Sequence, residues 1–431
     1  MLEIIDGRDQ LTPVHIERPR PAGPGADPVA TVDAILGEVR LRGDAAVIEY
    51  TEKFDGPRLD PADLRVDEAT ILKARSLVRP ELVVALEVAA ERLRRTSERQ
   101  LPRTWIDRSG DELIGELVRP LRRVGAYVPG GRAAYPSSVV MAVVPAQVAG
   151  VEATAVCSPP GPGGEIAEPV LAACAVLEVT EVYRVGGAQA VAGLAYGTET
   201  IRPVDKIVGP GNIFVTLAKR AVAGWVGVDS EAGPTEIAIV ADDSASADVV
   251  AADLVAQAEH GPLGTHVLIT WSEDLAERVM AALERHVMMH ERTEDIENAL
   301  IEGGAAVLVR DVDHALLTAN ALAPEHLELI FDGAADVLDS IQNAGAVFVG
   351  ADSPVPVGDY VAGTNHVLPS GGTARFASGL GVADFVKRIY VNEIERSALE
   401  RLAPHVDAFA EAEGLHGHAR AVHARLNRRV L

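Results

Sequence analysis

VYRVGGAQAVAGLAYG, residues 182–197, opens as a short β-branched apolar run, breaks at two glycines and continues as an alanine-rich helix. The same order of apolar strand and glycine loop recurs in ATAVCSPPGPGG (153–164), and KIVGPGNIFVTLAKRAV (206–222) repeats the whole unit. Strands that alternate with helices across glycine turns predict a parallel α/β sheet over 137–235. A second alternation follows in EIAIVADDS (236–244), HVLITWS (266–272), AAVLVRD (305–311), HLELIF (326–331) and AVFVG (346–350). Helices such as DVVAADLVAQAEH (248–260) and EDLAERVMAALERHV (273–287) separate these runs. Two doubly wound parallel-sheet domains are therefore expected.

Working outward, residues 30–52 and about 62–98 carry apolar positions every three or four residues, as in ELVVALEVAAERLRR (81–95), and predict helices. ELIGELVRP (112–120) and RRVGAYVPGG (122–131) read as a hairpin running into a glycine turn. After Gly381 the strands stop, and a charged helical stretch over 396–428 is too thin to hold a core of its own. It must pack on something, a second subunit being one choice. The expected divisions are an N-terminal helical segment with the hairpin over 1–128, packing on the first α/β domain, then α/β domains over 129–235 and 236–380, and a helical tail over 381–431.

Length and charge narrow the function. At 431 residues the chain exceeds what one hydrophobic core usually serves. A net charge of -24 and only 4% aromatic residues argue against a grip on nucleic acid or anionic lipid, which needs concentrated Lys and Arg. Cys157 and Cys174 sit in apolar runs and offer no disulfide framework, which fits a reduced compartment. MLEIIDGRDQ lacks a basic stretch followed by an apolar one, and no apolar run reads as a bilayer span, so a cytoplasmic protein is expected.

The chemistry concentrates in four distant strings: QAEHG (257–261), APEHLEL (323–329), GDYVAGTNH (358–366) and EGLHGH (413–418). Gln257, His260, Asp359 and His418 offer the mixed nitrogen and oxygen donors that a zinc-type site collects from separate elements. Gln257 and His260 are three apart on a predicted helix and share a face, although a histidine at a helix end also serves as a dipole cap. That helix should end opposite the carboxyl edge of the sheet, where open α/β folds bind ligands, whereas the loop carrying Asp359 and His366 is expected on that carboxyl edge. Glu325 and His326 are adjacent ionisable groups at the head of an apolar strand, an acid/base pair or a charged guard on a sheet edge. The glycine loops at 161–164, 186–188 and 209–212 follow strands, and helix N-termini there suit a phosphate, but none spells GxGxxG. The four strings suggest a metal-assisted enzyme, with a zinc hydrolase using Glu325 and His326 and a non-catalytic metal-holding dimer as readings that remain open.

Taken in order, YVPGG, GGAQAVAGLAYGT, VDKIVGPGN, AGPTEI, AQAEHG, APEHLEL, GDYVAGTNHVLPS and EGLHGH resemble the motifs of histidinol dehydrogenases from about Val124 to His418. The resemblance implies a zinc-dependent, NAD-linked oxidation of L-histidinol through L-histidinal to L-histidine at one site, closing histidine biosynthesis. It implies zinc held by Gln257, His260, Asp359 and, from the second subunit of an intertwined homodimer, His418. His326 becomes the general base and Glu325 the activator of water. Substrate contacts fall to these six residues and to His366, Glu413 and Thr235, the last standing where the family usually has serine. Tyr127, Gln189 and Asn212 match positions that touch NAD.

Overall fold

The computed structural model describes residues 2–19, 27–130, 133–230 and 233–426. The chain opens on β1 (Glu3–Asp6) and continues through helices Pro28–Arg42, Asp44–Asp55, Glu68–Leu77 and Pro80–Gln100. Then come β2 (Trp105–Ser109) and β3 (Glu112–Pro120), which pair antiparallel. Residues 122–385 hold two parallel sheets. The first contains β4 (Arg123–Tyr127), β5 (Ala153–Ser158), β6 (Glu181–Arg184), β7 (Lys206–Val208) and β8 (Gly227–Val228), in the order β6-β5-β4-β7-β8. The second contains β9 (Glu236–Ala241), β10 (Thr265–Thr270), β11 (Gly304–Leu308), β12 (His326–Ile330) and β13 (Ala346–Val349), in the order β1-β11-β10-β9-β12-β13. From β4 and from β9 in the middle, each sheet thus winds outward one way for two strands and returns to the other side, β1 adding an edge strand to the second.

Strand alternation divides the core of the second sheet. Ile237, Ile239 and Ile330 face the helices Ala247–Ala258 and Glu273–Met288, whereas Ala238, Val240, Leu327 and Leu329 face the helix Val312–Leu322. Burial of both faces explains why these strands read as unbroken apolar runs. Local signals set the helix starts: Ser272, Asp311 and Asn212 each accept a bond from a backbone amide of the first turn that follows. On the first sheet, Ile35, Val39 and Val47 of the N-terminal helices pack with Tyr183, Ala155 and Leu194. Cys157 and Cys174 are fully buried, and burial pushes both thiols up, that of Cys174 to about 12. They are core filler.

Three sequence expectations change. ELIGELVRP and RRVGAYVPGG do not form a hairpin together, because β3 pairs with β2 whereas β4 is the central strand of the first sheet. That sheet therefore begins before residue 129. Nor is the segment after Gly381 free of strands: β14 (Val386–Ile394) pairs antiparallel with β3 over nine residues. Its partner lies more than 260 positions earlier, a distance over which local pattern carries no information. Residues 101–121 and 386–431 make a compact unit of their own, in which β2, β3 and β14 form a sheet and helices Arg396–Ala412 and His416–Arg425 pack together. Finally, β1 joins the second parallel sheet beside β11, so the N-terminus does not serve the first sheet alone. Among the described residues no helix is long and apolar enough to cross a membrane.

The first sheet's central turn depends on Gly209. Its φ is +111°, and a Cβ there would collide with the carbonyl oxygen of Tyr127. The buried ion pair Lys219–Asp229 clamps the same peptide, with Asp229 accepting from the Gly209 amide (2.7 Å) and Lys219 donating to the Gly209 carbonyl (2.9 Å). Gly209→Ala is expected to cost about 3 kcal/mol, from the left-handed backbone and the steric clash together. Urea unfolding checks this, and an unchanged midpoint would contradict it.

Candidate active site

β9 and β12 are neighbours in parallel register, with His326 opposite Ile237. This brings the residues just before and at the start of β12 against the peptide of Glu236. The Glu236 amide donates to Glu325 Oε2 (2.9 Å), and its carbonyl accepts from His326 Nδ1 (2.9 Å). One residue's backbone thus holds both ionisable side chains. Thr235 donates its hydroxyl to the same Glu325 oxygen (2.8 Å) and receives the Gln257 carboxamide. With Nδ1 engaged at the Glu236 carbonyl, Nε2 is the free nitrogen of His326. It is buried without a hydrogen-bond partner and lies 3.4 Å from Asp359 Oδ1.

Both groups are buried, which shapes their acidity. Burial, against the pull of nearby His326, lifts Glu325 to about 7. Burial opposes charge on His326, but Glu325, 3.5 Å away, and Asp359 outweigh it and raise the imidazole to about 9. The result is a carboxyl raised toward neutrality beside a histidine made more basic by its acidic neighbours.

The remaining residues arrive from three directions. Gln257 ends the helix Ala247–Ala258, its carboxamide 3.2 Å from His326 Nδ1, and His260 follows in the turn, exposed, with Nδ1 at the Gln257 carbonyl (3.2 Å). Asp359 and His366 belong to the segment after β13, where His366 Nδ1 bonds the Asp359 carbonyl (2.9 Å) and the ring feels Asp359, His326 and His260. Gly358 packs where a Cβ would strike the ring of Phe348, which in turn lies 5.9 Å from the His326 ring.

All of this lies at the amino edge of the second sheet. Thr235 precedes β9, Glu325 precedes β12, and the helix bearing Gln257 ends there because it runs back against the strands. The expectation that Asp359 and His366 occupy the carboxyl edge is therefore corrected: the chain leaving β13 turns back through Val355–Val357 and carries Asp359 to the head of β12. The helix-end position of Gln257 needs no exception once the site is on this edge.

Gln257, His260 and Asp359 offer an amide oxygen, an imidazole nitrogen and a carboxylate, and no thiolate is near. That set suits a borderline divalent ion with positions left open, and the unpartnered His326 Nε2 beside Asp359 marks where further polar company fits. Among the described residues no three His, Cys, Asp or Glu side chains gather at ligand spacing. Glu413 and His418 belong to the other unit, where both are exposed, at and after the end of the helix Arg396–Ala412.

Tyr127, Gln189 and Asn212 each lie at or after the carboxyl end of a strand of the first sheet. The Gly187 amide donates to the Tyr127 hydroxyl (3.3 Å), and Asn212 caps the helix Ile213–Val222 through bonds from Phe214 and Val215. Gln189 is buried, and neither of its amide atoms has a partner. Sequence reasoning missed Glu236, whose contribution is backbone, and also Phe348, Glu328 and Asp253. The last two carried a signal: a carboxyl inside an apolar strand and another on the inner face of an apolar helix.

The histidinol dehydrogenase family profile matches residues 20–426. The chain is 46% identical to the histidinol dehydrogenase of Synechococcus sp. across 92% of both chains. It is 47% identical to that of Geobacillus kaustophilus across 91% of this chain and 93% of the other. The crystal structure of histidinol dehydrogenase from Elizabethkingia anophelis superposes with a TM-score of 0.91 at 32% identity, covering 99% of this chain and 98% of that one. The chain belongs to the histidinol dehydrogenase family and is an NAD-dependent oxidoreductase.

Proposed function

We propose that the protein oxidises L-histidinol to L-histidine in two successive NAD-linked steps at the amino edge of the second sheet. The observation that carries this reading is the double hold of Glu236 on Glu325 and His326, which places two bases of different strength side by side. Gln257, His260 and Asp359, with the partner subunit's His418, would hold zinc. Zinc there would orient an amino alcohol and polarise its oxygen, and NAD would supply the hydride acceptor for each oxidation.

His326 Nε2 accepts the hydroxyl proton as the carbinol hydrogen leaves as hydride, and the positive ring is stabilised by Glu325 and Asp359. Glu325, raised toward neutrality, then takes a proton from water, whose oxygen adds to the aldehyde carbon while the protonated His326 ring returns its proton to the carbonyl oxygen. The gem-diol so formed loses its second hydride while the now neutral His326 accepts one hydroxyl proton, and the resulting carboxylic acid releases its own proton to leave the carboxylate. Thr235 fixes the Glu325 carboxylate by its hydroxyl, and its methyl restricts the rotamer that does so. His366 and the partner subunit's Glu413 complete the substrate contacts. Tyr127, Gln189 and Asn212 face NAD at the first sheet. A homodimer that shares its sites in this way, in the cytoplasm and without nucleic-acid or membrane partners, completes the reading.

Three measurements test it. Each histidinol consumed should yield two NADH, and a ratio of one would refute the double oxidation. His326→Asn should lower both oxidations by about 10²- to 10⁴-fold, whereas Glu325→Gln should slow chiefly the aldehyde step. Single turnovers begun from histidinol and from histidinal separate the two, and equal loss for Glu325→Gln in both would contradict its role with water. Mixing inactive His418→Ala and His260→Ala chains should restore activity, because a heterodimer with shared sites carries one site with both donors intact. Mixtures that stay inactive after subunit exchange is verified count against sharing.

A further inference from the structure

His326 is not the only ionisable side chain that β12 sends toward the helix Ala247–Ala258. Two residues on, Glu328 projects from the same face, among Ile237, Ile239 and Ile330, and is 1% exposed. On the helix, Asp253 is buried one turn before Gln257. Glu328 Oε1 accepts a bond from the Val355 amide (3.2 Å), at the start of the turn that carries Asp359. Its other oxygen, Oε2, is enclosed with no donor, and the Asp253 side chain is within interacting reach of the Glu328 carboxyl. Two charged carboxylates do not remain in such contact, away from water, without a counter-ion. Burial first, and then each other's company, lift Glu328 to about 8, and burial lifts Asp253 to about 6. A proton between the two side chains removes the repulsion and supplies the missing bond.

We propose that Asp253 and Glu328 share one proton and that the bridged pair is a positioning element, setting Gln257, His326 and Asp359 in register with one another. Three pieces of chain meet at the Glu328 carboxyl. β12 carries His326 two residues away, the helix carries Gln257 four residues beyond Asp253, and the Val355 turn carries Asp359 four residues on. Neither carboxyl is among the residues assigned to zinc or substrate, so the pair acts through the residues it holds, as outer partners of a metal site do. The inference rests on the functional reading above for what those three residues do, but not for the pairing itself.

Glu328→Gln, Glu328→Leu and Asp253→Leu decide it, each as the full dimeric chain. Hydrogen exchange across 351–362 reports the Val355 turn. Competition for zinc against a chromophoric chelator reports the donor set, and kcat and KM at saturating zinc report the chemistry. Glutamine keeps the acceptor for Val355 and gives Asp253 an N–H, so exchange, zinc affinity and kcat should stay near those of the parent. Leucine at 328 should speed exchange across 351–362 and weaken zinc by about 10-fold or more, with kcat falling further than KM rises. Glu328→Leu with parental exchange and zinc affinity overturns the proposal, and so does a glutamine variant as damaged as the leucine one. If Glu328→Leu does not fold, Asp253→Leu removes the bridge but leaves the Val355 bond; weaker zinc binding supports the pair, and parental affinity overturns it. Absence of zinc binding in the parent chain strikes the functional reading instead, and exchange across 351–362 still judges the pair.

Discussion

Everything at the site hangs from the peptide of Glu236. Parallel pairing between β9 and β12 sets that peptide against the head of β12, where its amide fixes a carboxylate and its carbonyl fixes an imidazole. Backbone groups in a buried sheet cannot drift, so the two bases inherit the rigidity of the core. The Glu236 side chain is held as well, through Arg18 Nη2 (3.2 Å), which ties the N-terminal arm to the same strand. Substitutions at Glu325 or His326 therefore change chemistry, whereas disturbance of β9 or β12 pairing would move both bases together.

The amino edge explains the composition of the site. Open α/β sheets usually work at the carboxyl ends of their strands, where glycine loops and helix N-termini gather. Here Tyr127, Gln189 and Asn212 lie on that edge of the first sheet, whereas Glu325 and His326 stand at the opposite edge of the second. At an amino edge helices arrive by their C-terminal ends, so the groups presented there are side chains such as Gln257 and His260 instead of free N–H groups. A cation, not a phosphate, is what such an edge favours.

Much of this was legible in the residues. The two alternations of strand, loop and helix were visible because burial on both faces leaves uninterrupted apolar runs, and the Glu325-His326 and Gln257–His260 strings announced themselves by chemistry. The hairpin was misassigned because ELIGELVRP and RRVGAYVPGG are adjacent in sequence and both β-like, and only tertiary pairing with Val386–Ile394 shows that they serve different sheets. β14 itself, VKRIYVNEI, is mostly exposed and does not alternate apolar with polar residues, so no periodicity betrays it. The edge on which Asp359 falls was unreadable, since the sequence does not say that the chain turns back after β13. Glu328 and Asp253 were readable in principle as carboxyls at inward-facing positions of apolar elements. They were passed over because each alone looks like incidental polarity, and their meaning lies in the contact.

The decisive measurement is a crystal structure of the zinc-loaded dimer with histidinol bound. The account predicts His326 Nε2 within about 3 Å of the carbinol oxygen, with Nδ1 still on the Glu236 carbonyl. A carbinol remote from His326, or a ring turned so that Nδ1 faces the substrate, would contradict it.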